Sequence, residues 1–571
     1  MEHDIMDIGN GEHIEDPTAY IEQAEYIPPE NFLAWTIDHP REQEIIRKLC
    51  SGGAKLLVGP RGCGKTTLML KSWHKMAGDK STPALPVYVN FKLSLKLEPL
   101  YQTTPNATFW FRTWLILKIY DALHDACEQL SIEDIEAIPT RDEITLAILT
   151  IESGDPTSFN KTIEYQTDEL KAVIDALLNN NGLSRCILLL DDAAHAFSPK
   201  QQEDFFDFFR RIKSTNIAPK AAIYPGITSH SASFHVGHDA EKIDVWIRPD
   251  TPEYVSFMRQ IAHRRLGENL LAALDGATDI IPFLAYAAFG IPRSFLNMLR
   301  IIESEMISGN MSIDRRKVLD AAKQSKQDAH AVFDSLVYKI PVYKNFIHKG
   351  QDVYNYCIAI LKEFNKNKNT VSNGFEIGLK RPMPPELSRV IGFYQYAGLM
   401  MPVGENSRGE KGVFDIYFIH FADLITENAI VGRRSKSLSA FNAVFSSRTH
   451  LAYPRITAER LIGSGKVSDA FPLSLPPCQS CGAERANEDA KFCINCGSEL
   501  KTASLYHALI AQDISVLPIT KARSASIKKH SSLKTIKDML LDNTKEELRS
   551  VPQIGPKWAE RIARYAQEYV A

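Results

Sequence analysis

The segment Lys55–Leu70, KLLVGPRGCGKTTLML, fits the pattern G-x-x-x-x-G-K-[ST] in full from Gly59 to Thr66. KLLV before it is a short apolar strand, and TTLMLKSWHKM after it has helical spacing, which sets the motif in a strand–turn–helix frame. Glycines 59, 62 and 64 allow a tight backbone turn and put no side chain between the N–H groups and a phosphate. The helix that follows points its positive end at the same charge. We read Gly59, Pro60, Arg61, Gly62, Cys63, Gly64, Lys65, Thr66 and Thr67 as a nucleotide cradle. Lys65 is placed to reach the β- and γ-phosphates of ATP, and the Thr66 hydroxyl to complete a Mg²⁺ shell. A chance glycine-rich turn would lack the flanking strand and helix.

A loop of this kind needs a second acidic element. RCILLLDDAAHAF supplies one: Cys186–Leu190 read as a fully buried strand that runs into Asp191-Asp192. Asp191 is placed to hold the magnesium with Thr66, and Asp192 to polarise the attacking water. Between the motifs, ALPVYVNF reads as a strand and NATFWFRTWLILKIYDALHDACEQL as a long helix. After the acids come a helix (KQQEDFFDFFRRIKS), a strand (KAAIYPGITSH) and a further strand (KIDVWI). Alternating strands and helices imply a parallel sheet covered on both faces.

From Asn31 to Arg300 the pattern resembles the AAA+ ATPases, most closely the origin-recognition and initiator clade and the related signal-transducing NTPases. FLAWTIDHPREQEIIRKL resembles the segment that lies against the adenine in that clade. Thr228 or Ser229 would fit its polar sensor-one position at a strand end. FGIPRSFLNMLR is similar to its lid motif, in which Arg293 would sense the γ-phosphate. The resemblance implies ATP hydrolysis with Lys65, Asp191, Asp192, Thr228 and Arg293 as catalytic residues. The family usually has Asp-Glu where this chain has Asp191-Asp192, and the shorter carboxylate implies slow turnover. The family also commonly completes its site with a neighbouring subunit's arginine, a role Arg210 or Arg211 would fill in a homo-oligomer formed with ATP.

CQSCGAERANEDAKFCINCG reads C-x2-C-x11-C-x2-C, with a glycine after each pair. Cys478, Cys481, Cys493 and Cys496 form a soft four-thiolate set for which Zn²⁺ is the expected metal, and the spacing resembles a zinc ribbon. A pair of disulfide switches fits the spacing less well. All four ligand positions are filled, so the ribbon is read as structural or as a binding surface for nucleic acid or protein. IKDMLLDNTKEELRSVPQIGPKWAERIARYAQEYVA has apolar helical spacing around a Pro-x-Ile-Gly-Pro turn and looks like a helix-hairpin-helix motif. Gly555 would meet a phosphate there, with Lys557, Arg561 and Arg564 as charge partners. Gln553 stands where many such hairpins have glycine, and a protein-docking tail is the alternative. Between lid and ribbon, ELSRVIGFYQYAGLMMPVGENSRGEKGVFDIYFIH reads as a helix followed by a β-ribbon, the winged-helix pattern. Arg408 and Lys411 would sit on its wing and Arg389 on its helix, suited to phosphate contact or to a protein partner.

At 571 residues the chain is too long for one core. We expect a multidomain α/β protein: an acidic segment (1–30), a P-loop AAA+ core (31–250), a helical lid (251–335), a winged-helix-like domain (336–440), a linker (441–470), the zinc ribbon (471–501), a second linker (502–532) and a small helical domain (533–571). A net charge of -3 excludes a globally basic nucleic-acid coat, so DNA contact must be a local patch. No apolar run approaches a membrane span, the acidic start reads as no secretory signal, and the other cysteines are scattered, so we expect a cytoplasmic protein. The reading that joins these parts is an ATPase that assembles on DNA when it holds nucleotide. The alternatives are a nucleotide-controlled signalling or defence switch that recruits a separate effector protein, and a passive scaffold braced by nucleotide.

Overall fold

A computed structural model describes residues 23–79, 83–104, 106–133, 137–154, 165–192, 198–307, 313–366, 374–430, 437–446, 452–463, 465–485, 490, 492–500 and 504–570. Most of the expected acidic segment therefore lies outside the described residues. The expected fold class is found: a covered parallel sheet followed by further, separately built units.

The first sheet contains β1 (Lys55–Val58), β2 (Ala84–Asn90), β3 (Arg185–Asp191), β4 (Ile217–Ile223) and β5 (Glu241–Asp244) in the order β2-β3-β4-β1-β5, all parallel. Strand alternation sends successive residues to opposite faces. Leu56, Leu188 and Leu190 join one core with the helices Ala107–Leu130, Thr167–Asn180 and Pro199–Ile212. Leu57, Ile187 and Leu189 join the other with Glu42–Cys50 and Lys65–Gly78. Both faces of β3 are dry, which explains its continuous apolar run. β4 lies between the strand that carries the phosphate loop and the strand that carries the acids, and its end faces both.

The second unit begins with helices, among them Tyr254–Arg265, Ile280–Ala287, Pro292–Ile307 and Arg315–Lys339. It continues through Lys344–Lys366, β6 (Glu376–Lys380), the helix Pro385–Ala397, β7 (Met400–Ser407) and β8 (Val413–Ile419). β7 and β8 form an antiparallel hairpin, and β6 pairs antiparallel with β8. One continuous core joins these helices to the sheet. The helix Arg315–Lys339 runs unbroken across the expected lid boundary at 335/336. Its His330 shares the buried carboxylate of Asp423 with His420, Tyr354 and Lys326, which ties that helix to Lys344–Lys366 and to the short helix that follows β8.

Both expected linkers contain structure. Within 441–470, Phe441 and Phe445 are core residues, and β9 (Arg455–Ile456) pairs with β6. Within 502–532, Leu509, Ile514, Leu517 and Ile527 belong to the core of the last helical unit. The Ser/Lys-rich stretch that signals a linker is the solvated face of the helix Lys521–His530, capped by Thr520 and buried at Ser524 and Ile527. Polar composition over so short a helix hides an inward side of two residues, of which only Ile527 is apolar. No helix among the described residues is long and apolar enough to cross a membrane.

Candidate nucleotide site

The motif glycines do the work that their backbone angles demand. Gly62 and Gly64 have φ of +81° and +98°, which L side chains rarely adopt, and Gly64 caps the helix Lys65–Gly78. A Cβ on Gly59 would lie 2.6 Å from Cys63 Sγ, and one on Gly62 would lie 2.9 Å from Arg293 Cβ. The missing Gly62 side chain is therefore what lets the lid helix Pro292–Ile307 close onto the loop. Arg293 N–H donates to Gly62 O at 3.4 Å across that contact.

Lys65 is buried, and its ammonium donates to Gly59 O (2.9 Å) and Pro60 O (3.0 Å) and lies 3.7 Å from the centre of the Tyr224 ring. Burial pulls its pKa down, against the pull of the neighbouring acids. Thr66 Oγ1 donates to Asp191 Oδ2 at 2.6 Å, and Tyr88 OH donates to the same oxygen at 3.0 Å. Asp191 ends β3 fully buried, and burial, followed by the charge of Asp192, pushes its carboxyl up to about 7. Asp192 turns out of the strand at φ +56° and accepts a 2.8 Å hydrogen bond from Tyr224 OH. A hydroxyl and a carboxylate converging at this distance are hard oxygen donors of the kind a magnesium ion takes.

One cavity is lined by Lys65, Thr66, Asp192 and Tyr224 together. The phosphate loop, Asp192, Tyr224 and Arg293 line one end, and Trp35, Ile37, His39, Phe257, Ile261 and Arg265 line the other. Burial holds His39 down at about 4, so it is neutral at neutral pH. Arg41 N–H donates to its Nδ1, which leaves Nε2–H for Val245 O. An end walled by Trp35, Ile37, Phe257, Ile261 and a neutral imidazole, with Arg265 beside them, next to a cationic, glycine-lined end suits a flat base attached to a polyphosphate.

Several sequence-selected residues stand elsewhere. β4 stops at Ile223, because Pro225 lacks an N–H and Gly226 adopts φ +76°. Thr228 thus lies in the turn beyond the strand, not at its end, and donates its hydroxyl to Tyr224 O (2.8 Å); Ser229 N–H bonds Gln202. The group that reaches Asp192 from the end of β4 is Tyr224, which the motifs do not point to although it directly follows the strand. Arg210 and Arg211 are exposed at the end of Pro199–Ile212. Arg408 and Lys411 are exposed at the β7–β8 turn, and Arg389 is exposed over the Tyr343 ring. Gly555 and Lys557 are exposed at the turn into the helix Pro556–Val570. Arg561 and Arg564 lie on that helix, over the rings of Trp558 and Tyr26. Gln553 takes φ +66° in the same turn.

The four cysteines meet. Their Sγ atoms all lie within 4.8 Å of one another, with Cys478–Cys496 and Cys481–Cys493 each at 3.6 Å. A tetrahedron of ~2.3 Å bonds has edges of about 3.8 Å. The knuckles form as the glycines require: Gly482 N–H donates to Cys478 O and Gly497 N–H to Cys493 O, at φ +72° and +69°. This cluster could hold a metal ion.

No protein-family model and no curated protein matches the chain. Among solved structures it is similar to a Walker-type ATPase of Pyrococcus abyssi (12% identity, 67% of this chain and 93% of that one, TM-score 0.33). It is also similar to Cdc6p from Pyrobaculum aerophilum (14%, 74% and 96%, TM-score 0.27). A third is the Orc1 protein from Aeropyrum pernix, solved in complex with DNA (15%, 70% and 94%, TM-score 0.29). At these scores the fold assignment rests on the strand order and the site geometry.

Proposed function

We propose that the chain is an AAA+ ATPase that binds ATP with Mg²⁺, hydrolyses it slowly, and assembles on DNA as a homo-oligomer when it holds nucleotide. The observation that carries this reading is the convergence of Lys65, Thr66, Asp192 and Arg293 on one cavity, with Asp191 hydrogen-bonded to Thr66 behind its wall. Lys65 would bind the β- and γ-phosphates, and Thr66 and Asp191 would hold the magnesium. That ion supplies charge neutralisation on the phosphates. Asp192, oriented by Tyr224, would position the water, and Arg293 would report on the γ-phosphate. Support for a DNA surface comes from the exposed cations Arg408, Lys411 and Lys557 on turns outside the cavity. Zinc is the metal that suits the four thiols.

Calorimetric titration with ATP and Mg²⁺ tests the core of the reading: saturable binding in the native chain, lost in Lys65→Ala. Fluorescence anisotropy on labelled duplex tests the rest. Affinity should rise with ATP and fall steeply with salt; no binding at low salt with ATP present would reject DNA as the partner.

A second reading has its own observation. Phe492 and Ile494 on the cysteine unit are 63% and 85% exposed, more apolar surface than a phosphate-binding module needs. They favour a docking site for an effector protein, which nucleotide-dependent capture surviving nuclease treatment would reveal.

A further inference from the structure

The cavity has one wall that the phosphate loop, the sheet and the lid do not supply. Glu568, on the helix Pro556–Val570, lines it beside Arg61 and Arg293. Its carboxylate lies 3.4 Å from an Arg293 guanidinium nitrogen and 3.6 Å from one of Arg61, and that Arg61 nitrogen also donates to Glu568 O at 3.2 Å. Lys92, beyond β2, and Lys339, at the end of its lid helix, add their charge to the same carboxylate. Burial alone would raise the Glu568 pKa, but these four cations outweigh it and keep the group ionised. An anion with only 15% of its side chain exposed is thus held by a phosphate-loop residue and by the lid arginine at once.

The helix is firmly seated there. Its unit has its own apolar core, which includes Leu95 from the segment after β2. Ser504 Oγ donates to Glu98 at 2.6 Å, Arg564 lies 3.9 Å over the Tyr26 ring, and Lys339 lies 5.4 Å from the Tyr569 ring. These contacts carry Glu568 to the phosphate end of the cavity from a distant part of the chain. An interdomain brace would not need its anion between the two arginines best placed to read a terminal phosphate.

We propose that the helix Pro556–Val570 is a nucleotide-displaced latch, in which Glu568 occupies the terminal-phosphate position between Arg61 and Arg293. This rests on the nucleotide reading above and adds its regulation. With the latch in place the site takes a nucleoside diphosphate, because the carboxylate stands in for the third phosphate. A triphosphate brings a second anion to the same two guanidinium groups, so it binds only as Glu568 leaves. The helix that leaves carries the turn with Gly555 and Lys557, which couples the terminal phosphate to whatever that turn docks on.

The test uses the full chain and its Glu568→Gln and Glu568→Ala variants, titrated with ADP and with the slowly hydrolysed analogue ATPγS. The native chain should bind ADP at least tenfold more tightly than ATPγS. Either variant should gain at least tenfold for ATPγS while ADP affinity stays within twofold. In the native chain, ATPγS but not ADP should speed deuterium exchange across residues 556–570. Equal ATPγS affinity in the native chain and both variants, or exchange unmoved by ATPγS, overturns the latch and leaves the nucleotide reading standing. No binding of either nucleotide to any of the three proteins overturns both.

Discussion

Replacing Tyr224 by Phe removes one oxygen and little else. The lost contact is the 2.8 Å hydrogen bond from Tyr224 OH to Asp192 Oδ1, while the ring stays beneath the Lys65 ammonium at 3.7 Å. A hydrogen bond to a charged acceptor is worth about 1.5–3 kcal/mol. If that bond fixes Asp192 for the attacking water, its loss falls on the transition state, and ~1.4 kcal/mol per factor of ten gives roughly a 10- to 150-fold drop in kcat. KM should move by less than about threefold, because the removed bond is not made to nucleotide. The assay is steady-state phosphate release with ATP and Mg²⁺, alongside calorimetry to confirm that nucleotide binding is intact. A kcat within about twofold of the native chain would falsify the assignment of Tyr224 as the positioning residue. Thr228→Ala is the companion variant: its hydroxyl only clasps the Tyr224 backbone, so its effect should be the smaller of the two.

Other consequences are equally concrete. Gly226 and Gly392 approach so closely that a Cβ on Gly226 would lie 2.1 Å from the Gly392 backbone, at a φ of +76°; Gly226→Ala should cost about 3 kcal/mol or more in denaturant unfolding. Burial, then the charge of Asp250, pushes Glu376 up to about 7, against Arg248. The folded chain keeps a proton there that the unfolded chain releases, so stability falls as pH rises from about 4.5 to 7. Glu376→Gln should recover about 1–2 kcal/mol above pH 7 after allowance for solvent screening, and nothing below pH 4. Zinc quantified by atomic absorption should be present at one ion per chain and lost in Cys493→Ser, with calorimetric ATP binding unchanged; a metal-free native chain would contradict the four-thiolate reading.

Much of the first sheet was legible because its signals are local. β1 to the helix Lys65–Gly78 follows from glycine spacing, and β3 from an apolar run long enough to need both faces covered. The two acids at the end of β3 follow from the same run. Their unequal environments do not. Asp191 is buried against Thr66 and Tyr88, while Asp192 turns away at positive φ, and only the packing of β2 and β4 beside β3 separates the two. The supposed linkers misled for a related reason: a two-residue strand such as β9 on β6, or a ten-residue helix with two inward residues, leaves almost no periodic trace.

Arg61 shows where local reading ends. It occupies a variable position of the phosphate-loop motif, and the turn itself asks nothing of that side chain. As sequence it is one of many arginines. In the fold it reaches across the cavity to Glu568, 507 residues further along the chain, far beyond any window in which composition or spacing could link the pair. The same holds for Lys339, which reads as the polar end of an amphipathic helix but is buried near Tyr569, with burial and the charge of Arg61 holding its pKa down at about 7. A cation is desolvated at that cost only where an anion or a ring offsets it. Here the anion is Glu568 and the ring Tyr569, both on one helix, so the charges of Arg61, Arg293 and Lys339 are all met from Pro556–Val570. Whatever moves Pro556–Val570 must therefore change the charge that a nucleotide meets, and whatever adds charge to the site must act on that helix.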